Sequence, residues 1–454
     1  MNFQEIIDLQ RQFFNTNTTK NISFRIQELK RLKGVLKKNE AELYESIYKD
    51  FKKSEFETYT TELSIIYHEI DLAIKKVKKW ARKKKASTGL TNLPGKSYII
   101  PEPFGTVLVI GAWNYPYQLS LCPAIAAIAA GCTVVLKPSE VPSRTSATME
   151  RLINQNFDSS FFKVIEGGVK ETTALLDIKF DKIFFTGSVP VGKIIYQAAA
   201  KHLTPVTLEL GGKSPAIITK DINIDMTAKR LVWGKFLNAG QTCIAPDYVM
   251  VESSIKDAFL SAVKKHIDKS DYHVDNDNYT QIVNDKNFDR LVEMIEEEKI
   301  YVGSTGNKEE RVIPPTVLRD VDFSDKVMQD EIFGPILPVL TFDTIDEAIS
   351  KVKKLSKPLS CYIFTKNNAV QKKILNEISF GGGAVNDAVM HFTEQTLPFG
   401  GVGDSGIGNY HGKFGFETFS HYKSVLQKPF LIEPNLKYPP YSPTKLKWLK
   451  RIIG

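Results

Sequence analysis

Long apolar runs are missing from this chain, and so are paired cysteines, clustered metal ligands and a leader. No apolar stretch reaches the roughly 20 residues of a membrane span, and the richest window, 119–136, holds Cys122, Pro123, Gly131 and Cys132. It reads as a buried helix running into a buried strand. Cysteine occurs four times (Cys122, Cys132, Cys243, Cys361) with no C-x-x-C pair. That spacing excludes a disulfide scaffold and a zinc module, and it fits free thiols in a reducing cytoplasm. The seven histidines are scattered without an H-E-x-x-H, so no catalytic metal is expected. Met1-Asn-Phe-Gln-Glu-Ile-Ile-Asp8 has early acids and no basic start, apolar core or cleavage site, unlike a signal peptide.

Charge of one sign is also modest: 60 basic against 52 acidic residues leave +8. Much of the excess lies in local lysine runs such as residues 75–85. The run reads as the solvated face and C-terminal turn of a helix, where cations suit the dipole. A nucleic-acid partner is not expected. At 454 residues, 42% hydrophobic and 25% charged, the chain is a globular protein too long for one core.

Residues 3–85 read as helices, with Ile6, Leu9 and Phe13, then Leu29, Leu32 and Leu36, recurring at helical spacing. Residues 92–101 read as a turn and an extended strand. Strands at 106–110, 133–137, 162–166 and 181–186 then alternate with helices at 116–130 and 143–156. That alternation implies a doubly wound, Rossmann-like parallel sheet. Ligands on such sheets bind beyond the C-terminal strand ends, and Asn114, Lys137 and Gly187 all follow one. After Gly211 and Gly212 a second α/β unit is expected, with strands at 216–218 and 248–251, helices at 224–237 and 255–269, and an exposed loop at 270–280.

Two segments carry chemistry. Phe236-Leu-Asn-Ala-Gly-Gln-Thr-Cys-Ile-Ala-Pro246 sets Cys243 between small residues and a chain-breaking proline. The reading is a loop-to-helix setting, where N–H groups lower a thiol pKa. Thr207-Leu-Glu-Leu-Gly-Gly-Lys-Ser-Pro215 ends an apolar run on one carboxylate, Glu209. A nucleophilic thiol and a carboxylate able to activate water are two parts of a covalent acyl-enzyme mechanism. Cys122, Cys132 and Cys361 lie in apolar runs and read as core.

These segments resemble the glutamate and cysteine signatures of the aldehyde dehydrogenase superfamily. The resemblance extends to Gly111-Ala-Trp-Asn-Tyr-Pro116, Leu136-Lys-Pro-Ser-Glu140, Phe185-Thr-Gly-Ser-Val-Pro-Val-Gly192, Glu331-Ile-Phe-Gly-Pro335 and Leu397-Pro-Phe-Gly-Gly-Val-Gly403. The blocks run in the family's order across residues 104–425. The short N-terminus, the Trp113-Asn-Tyr-Pro116 tetrapeptide and Val385-Asn-Asp387 look most like the class 3, fatty-aldehyde branch.

The resemblance implies a non-acylating, NAD(P)-dependent oxidation of an aldehyde to the acid. Cys243 would be the nucleophile, Glu209 the base for the hydrolytic water, and Asn114 an oxyanion donor beside the Cys243 N–H. Cofactor contacts would come from Trp113, Lys137, Glu140, Gly187, Ser188, Gly192, Leu210, Glu331 and Phe333. A glycine turn feeding a helix N-terminus suits a pyrophosphate. Glu140 at the ribose favours NAD over NADP, although class 3 relatives accept both. Implied domains are a cofactor unit at 1–210 with a dimerisation arm at 86–103, a catalytic unit at 211–415, and an oligomerisation strand and basic tail at 416–454. A homodimer through the arm at 90–102 and the strand at about 420–430 is expected, on the reasoning that the extended Tyr98-Ile-Ile100 has edge groups to pair.

A CoA-acylating member would not need Glu209; a semialdehyde-specific member and a catalytically retired binding protein are the further alternatives. The literal G-x-G-x-x-G at 401–406 has no strand before it and no clean helix after it. Within it, Gly403-Asp-Ser-Gly406 echoes a serine-protease nucleophile without that class's other features. Tyr115, Trp233 and Phe392 point to an apolar substrate tunnel, and the branch favours aliphatic, aromatic or isoprenoid aldehydes. The tail at 445–453 gathers Trp448, Leu449, Ile452 and Ile453 on one helical face amid Lys445, Lys447, Lys450 and Arg451. That arrangement suits weak contact with a membrane surface or packing on a dimer.

Overall fold

The computed structural model describes residues 3–430 and 433–453. Met1, Asn2, Leu431, Ile432 and Gly454 lie outside the described residues, so the outermost ends of the first and last expected units do too.

Apolar runs become buried strands. A six-stranded sheet runs in the order Gly406–Ile407, Val206–Glu209, Lys182–Thr186, Thr106–Ile110, Thr133–Lys137, Phe162–Val164. All its pairs are parallel except the first. From Thr106–Ile110 the chain winds outward to Phe162–Val164, then returns to lay Lys182–Thr186 on the other flank. The crevice where the winding reverses therefore opens beyond Ile110 and Thr186, and a cleft for a ligand is expected there. Helix Pro116–Ala130 is buried at every position because this sheet lies on one side and helices Ile22–Lys38 and Ser64–Trp80 cover it on the other.

A seven-stranded sheet follows, ordered Ile300–Val302, Thr316–Leu318, Ile336–Phe342, Tyr248–Glu252, Pro215–Ile218, Ser360–Phe364, Gly382–Val385. Only its first pair is antiparallel. A third, antiparallel sheet joins Lys84–Ala86, Lys96–Pro103 and Ser420–Gln427. The short strand Gly406–Ile407, from the stretch expected in the second unit, pairs with the Glu209 strand of the first.

Several local expectations are corrected. In helix Phe3–Asn15 the inward residues are Ile7 and Gln10, whereas Leu9 is 48% exposed. Gln10 occupies the inner face because its amide donates to the Val134 and Ser159 carbonyls at 2.9 and 3.2 Å. The lysine run leaves its helix at Trp80, and Lys84–Ala86 becomes an edge strand. Charged edges of this kind deter further strand pairing. The 270–280 loop is anchored at its end: Tyr279 and Thr280 are buried and donate to the Ile313 and Phe51 carbonyls. Tyr98 and Ile99 are paired within the chain on both sides and Ile100 on one, so the edges of that sheet are Lys84–Ala86 and the longer Ser420–Gln427.

Candidate active site

Strand Thr106–Ile110 ends in the loop that carries Trp113 and Asn114 before Pro116 starts the next helix. Asn114 is 2% exposed. Its Nδ2 donates to the Gln241 carbonyl at 2.9 Å, and its own carbonyl accepts from Asn238 Nδ2 at 3.0 Å. Gln241 is locked in turn. Its amide donates to the Asn238 and Gln281 carbonyls and accepts from the Val283 N–H.

The backbone leading to Cys243 is in an unusual state. Asn238, Ala239 and Gly240 have φ of 54°, 50° and 70°, three left-handed residues in succession. For Asn238 and Ala239 this is strained, and such strain gathers at functional sites. Gly240 is required for a second reason, since a Cβ there would lie 2.2 Å from the Gly334 carbonyl oxygen. The Cys243 loop is thereby pressed against the 331–335 loop. Arg290 holds that loop by donating to the Glu331 and Ile332 carbonyls. Asp247 holds it by accepting from the Ile332 N–H at 2.9 Å, and Lys213 pairs with Asp247 at 2.6 Å.

Cys243 is half-buried. Burial first, then the charges of Glu331 and Glu209, push its thiol up to about 12; the N–H groups of Cys243 and Ile244 pull the other way and are outweighed. The expectation of a lowered thiol pKa at a helix start is therefore corrected: the turn at 241–247 leads into strand Tyr248–Glu252, with no helix dipole to stabilise a thiolate. Glu209 ends strand Val206–Glu209 at 3% exposure, and neither carboxylate oxygen has a hydrogen-bond partner among the described residues. Burial raises its carboxyl well above the usual range. Glu331 is raised to about 8, by burial and then by Asp247.

One cavity of about 540 Å³ is lined by all but one of the catalytic and cofactor residues expected from the sequence. Cys243, Glu209 and Asn114 line it, with Trp113, Leu210, Glu331 and Phe333 nearby and Gly187, Ser188, Lys137 and Glu140 farther along. The exception is Gly192, inside helix Val189–Ala200. A Cβ there would meet the Leu210 side chain at 2.7 Å, so it lets helix and strand close up behind the cavity. Lys137 Nζ reaches Glu140 at 2.9 Å. Against the cost of burial, that hydrogen bond holds the Glu140 carboxyl below its usual range. The Trp113 and Phe333 rings meet edge-on at 5.3 Å.

The residues present fit a dinucleotide. Ser188 is the N-cap of helix Val189–Ala200, its side chain makes no capping bond, and the helix end faces the cavity. Such an end attracts phosphate. Beyond it, Val169, Thr172 and Leu176 face Val191 and Ile194 across an apolar slot. Val169 is 78% and Ile194 59% exposed, which leaves apolar surface for a flat ring. Sequence reasoning missed these slot residues; exposed aliphatics near a helix N-terminus were the available signal. It also missed Asn287 and Arg290, for which no local motif speaks.

The remaining sequence candidates fall elsewhere. The 401–406 glycines do not line the cavity, and Ser405 is fully buried with its hydroxyl bonded to the Val402 main chain. Of the proposed tunnel residues, Tyr115 is buried, Phe392 half-buried against Phe399 and His411, and Trp233 42% exposed.

Comparison with known proteins agrees with this geometry. The family model described as "Aldehyde dehydrogenase family" matches residues 2–425. The chain is 46% identical over 444 residues to a 4,4'-diaponeurosporen-aldehyde dehydrogenase of Staphylococcus aureus (strain NCTC 8325 / PS 47), covering 96% of each. It is 44% identical over 450 residues to an "Aldehyde dehydrogenase, dimeric NADP-preferring" of Mus musculus, covering 98% of the chain and 99% of that relative. A solved structure described as the "Substrate bound state of Staphylococcus Aureus AldH" matches at a TM-score of 0.97 and 44% identity, covering 100% of both chains.

Proposed function

The chain belongs to the aldehyde dehydrogenase family, and on that premise we propose that it oxidises apolar aldehydes to carboxylic acids through a covalent adduct on Cys243. The observation that carries the reading is the meeting of Cys243, Glu209 and Asn114 in one cavity with a cradle fit for NAD or NADP. The aliphatic, aromatic or isoprenoid character of the substrate draws on the branch resemblance and on the relative that acts on diaponeurosporenal.

In this reading the Cys243 sulfur attacks the aldehyde carbon as its proton passes to the ionised Glu209 carboxylate, which returns it to solvent, and the new oxyanion is met by Asn114 Nδ2 and the Cys243 N–H. Asn114 Nδ2 carries two hydrogens, so one can stay on the Gln241 carbonyl while the other meets the oxyanion. When bound, the oxidised nicotinamide supplies the acceptor for the hydride that leaves the adduct. Glu209, once ionised, takes a proton from water; the resulting hydroxide attacks the thioester carbon and expels the Cys243 thiolate. Lys137 and Glu140 would hold the adenosine ribose, and Gly187 and Ser188 the pyrophosphate. Trp113, Leu210, Glu331 and Phe333 would hold the nicotinamide end, while Gly192 keeps the loop close to its sheet.

The cofactor unit is assigned to 1–210 with its arm at 86–103, the catalytic unit to 211–415 and the oligomerisation strand and tail to 416–454. A homodimer is part of the proposal. The open edge of Ser420–Gln427 offers main-chain groups to a second copy, and the mouse relative is named as dimeric. Light scattering that returned a monomer at working concentration would overturn it. Among the described residues no helix is long and apolar enough to cross a membrane. A cytoplasmic enzyme with weak, peripheral membrane contact through its tail completes the reading.

The test is NADH absorbance with aldehydes of increasing chain length, using wild type and Cys243→Ala. Activity should rise with apolar length and vanish in the variant, which still binds NAD. A variant retaining activity would remove Cys243 from its role.

A further inference from the structure

The N-terminal helices carry no motif, yet one of them reaches the catalytic loops. Glu55–Thr58, Tyr59–Leu63 and Ser64–Trp80 form one continuous helix whose middle segment is a π-turn. Such widened turns are rare and occur frequently at functional sites. The π-turn presents Glu62, which with Lys53 forms an ion pair at 2.9 Å; both side chains are 0% exposed. Two charges taken fully out of water cost several kcal/mol each unless every lone pair and proton is used.

Both have further partners toward the same place, and the charge of Lys53 also acts on the buried Glu57 carboxyl. Glu62 Oε2 accepts from the Tyr117 and Gln118 N–H groups at 2.8 and 3.2 Å. These are the first free donors of helix Pro116–Ala130, whose own N-cap, Tyr115, provides no side-chain cap. Glu62 thus fixes the helix start that immediately follows Asn114. Lys53 Nζ lies 4.0 Å from the centre of the Tyr115 ring, a desolvated cation–π contact. The Tyr115 hydroxyl is bonded to Thr242 Oγ1 at 2.7 Å, next to Cys243. A buried charge pair therefore touches the oxyanion loop through one partner and the nucleophile loop through the other. Those two loops otherwise meet through the Asn114 and Asn238 amides.

We propose that the Lys53–Glu62 pair is a positioning brace, which sets Asn114 and Cys243 relative to one another through the start of helix Pro116–Ala130 and the Tyr115–Thr242 hydrogen bond. The inference rests on the roles assigned above to Asn114 and Cys243. Neither Lys53 nor Glu62 lines the cavity, so they act through the residues they hold. A misplacement of about 1 Å remote from the chemistry is enough to cost roughly 100-fold in rate.

The experiment compares wild type, Tyr115→Phe, the pair variant Lys53→Met/Glu62→Gln, and the three substitutions combined. Three quantities are read on the folded, full-length enzyme: kcat, NAD affinity, and the rate at which iodoacetamide alkylates Cys243. The brace requires the pair variant to lose roughly 100-fold in kcat and to alkylate at an altered rate, with NAD affinity unchanged. It also requires Tyr115→Phe to add little to the pair variant, because both interrupt the same connection. Wild-type kcat and alkylation in a folded pair variant would overturn it, as would effects that simply multiply. Should the pair variant fail to fold, Tyr115→Phe, which removes one hydroxyl, decides alone: unchanged alkylation overturns the brace. Failure of wild type to reduce NAD with any aldehyde would instead sink the reading of the site.

Discussion

Asn114 donates its side-chain amide to the Gln241 carbonyl at 2.9 Å, tying the loop after one sheet's central strand to the loop that bears Cys243. The second hydrogen of the same amide nitrogen is the proposed oxyanion donor, so Asn114→Ala removes the tie and the proposed contact together. The expected loss in kcat is ~10²–10³-fold, the usual cost of deleting an oxyanion donor. Steady-state NADH production checks it, and a change confined to KM would contradict the role.

Glu209→Gln should leave a burst of NADH close to one equivalent per site, then slow turnover. An amide cannot take the proton from water, so the thioester accumulates. In the wild type, burial holds the Glu209 carboxyl well above its usual range, so deacylation should climb as pH rises and more of the base ionises. Stopped-flow absorbance resolves burst from steady state. A variant without a burst and with normal turnover would assign the base to another group.

Glu140→Gln should raise the efficiency with NADP relative to NAD. The present carboxylate, kept ionised by Lys137 at 2.9 Å, would repel a 2′-phosphate, and the amide would not. Comparing kcat/KM for the two cofactors checks this. An unchanged ratio would mean that the phosphate lies elsewhere.

Acid should destabilise the fold through His411, which is 3% exposed and whose imidazole is pushed down to about 3 by burial and then by His391. The unfolded chain binds that proton near pH 6.5, so the stability is fully present above 6.5 and is lost as pH falls toward 3. By pH 5 the loss amounts to about 2 kcal/mol. His411→Gln, which cannot titrate, should show a smaller fall in Tm between pH 7.5 and pH 5 than wild type. Equal falls would place the acid sensitivity elsewhere.

Helix Pro443–Ile453 has no buried residue, and Leu446, Trp448, Ile452 and Ile453 are 46–62% exposed. Sedimentation with anionic vesicles should carry down the full chain at low salt and lose it at high salt, as expected for roughly 1 kcal/mol per basic residue. A chain ending at Pro443 should stay in solution. Equal behaviour of the two would leave the tail without a membrane role.

Much of this was legible because the strands of the first sheet are unbroken apolar runs and the chemistry sits at their ends. Ile110, Lys137 and Thr186 each close such a run, so the rim that holds Asn114, Glu140 and Gly187 could be read along the chain. What was illegible depends on partners distant in sequence. Ile7 and Gln10, not Leu9, face inward because the Val134 and Ser159 carbonyls wait for an amide. The raised Cys243 thiol reflects burial and two carboxyls from other segments, which a local motif does not reveal. Lys96–Pro103 is the central strand of the small sheet because Lys84–Ala86, read as helix, pairs with it opposite Ser420–Gln427.

Strand Gly406–Ile407 has a consequence for how the protein is made. It covers the flank of Val206–Glu209, the strand that ends on Glu209, yet it lies about 200 positions later in the chain. During synthesis the first sheet emerges with that flank bare, and the small sheet likewise waits for Ser420–Gln427 to join Lys96–Pro103. Folding from the N-terminus therefore leaves these two strand flanks without their partners until residues 406–427 have been made. Such edges are where nascent chains associate wrongly, so early termination yields a sticky intermediate in place of a free-standing nucleotide-binding module.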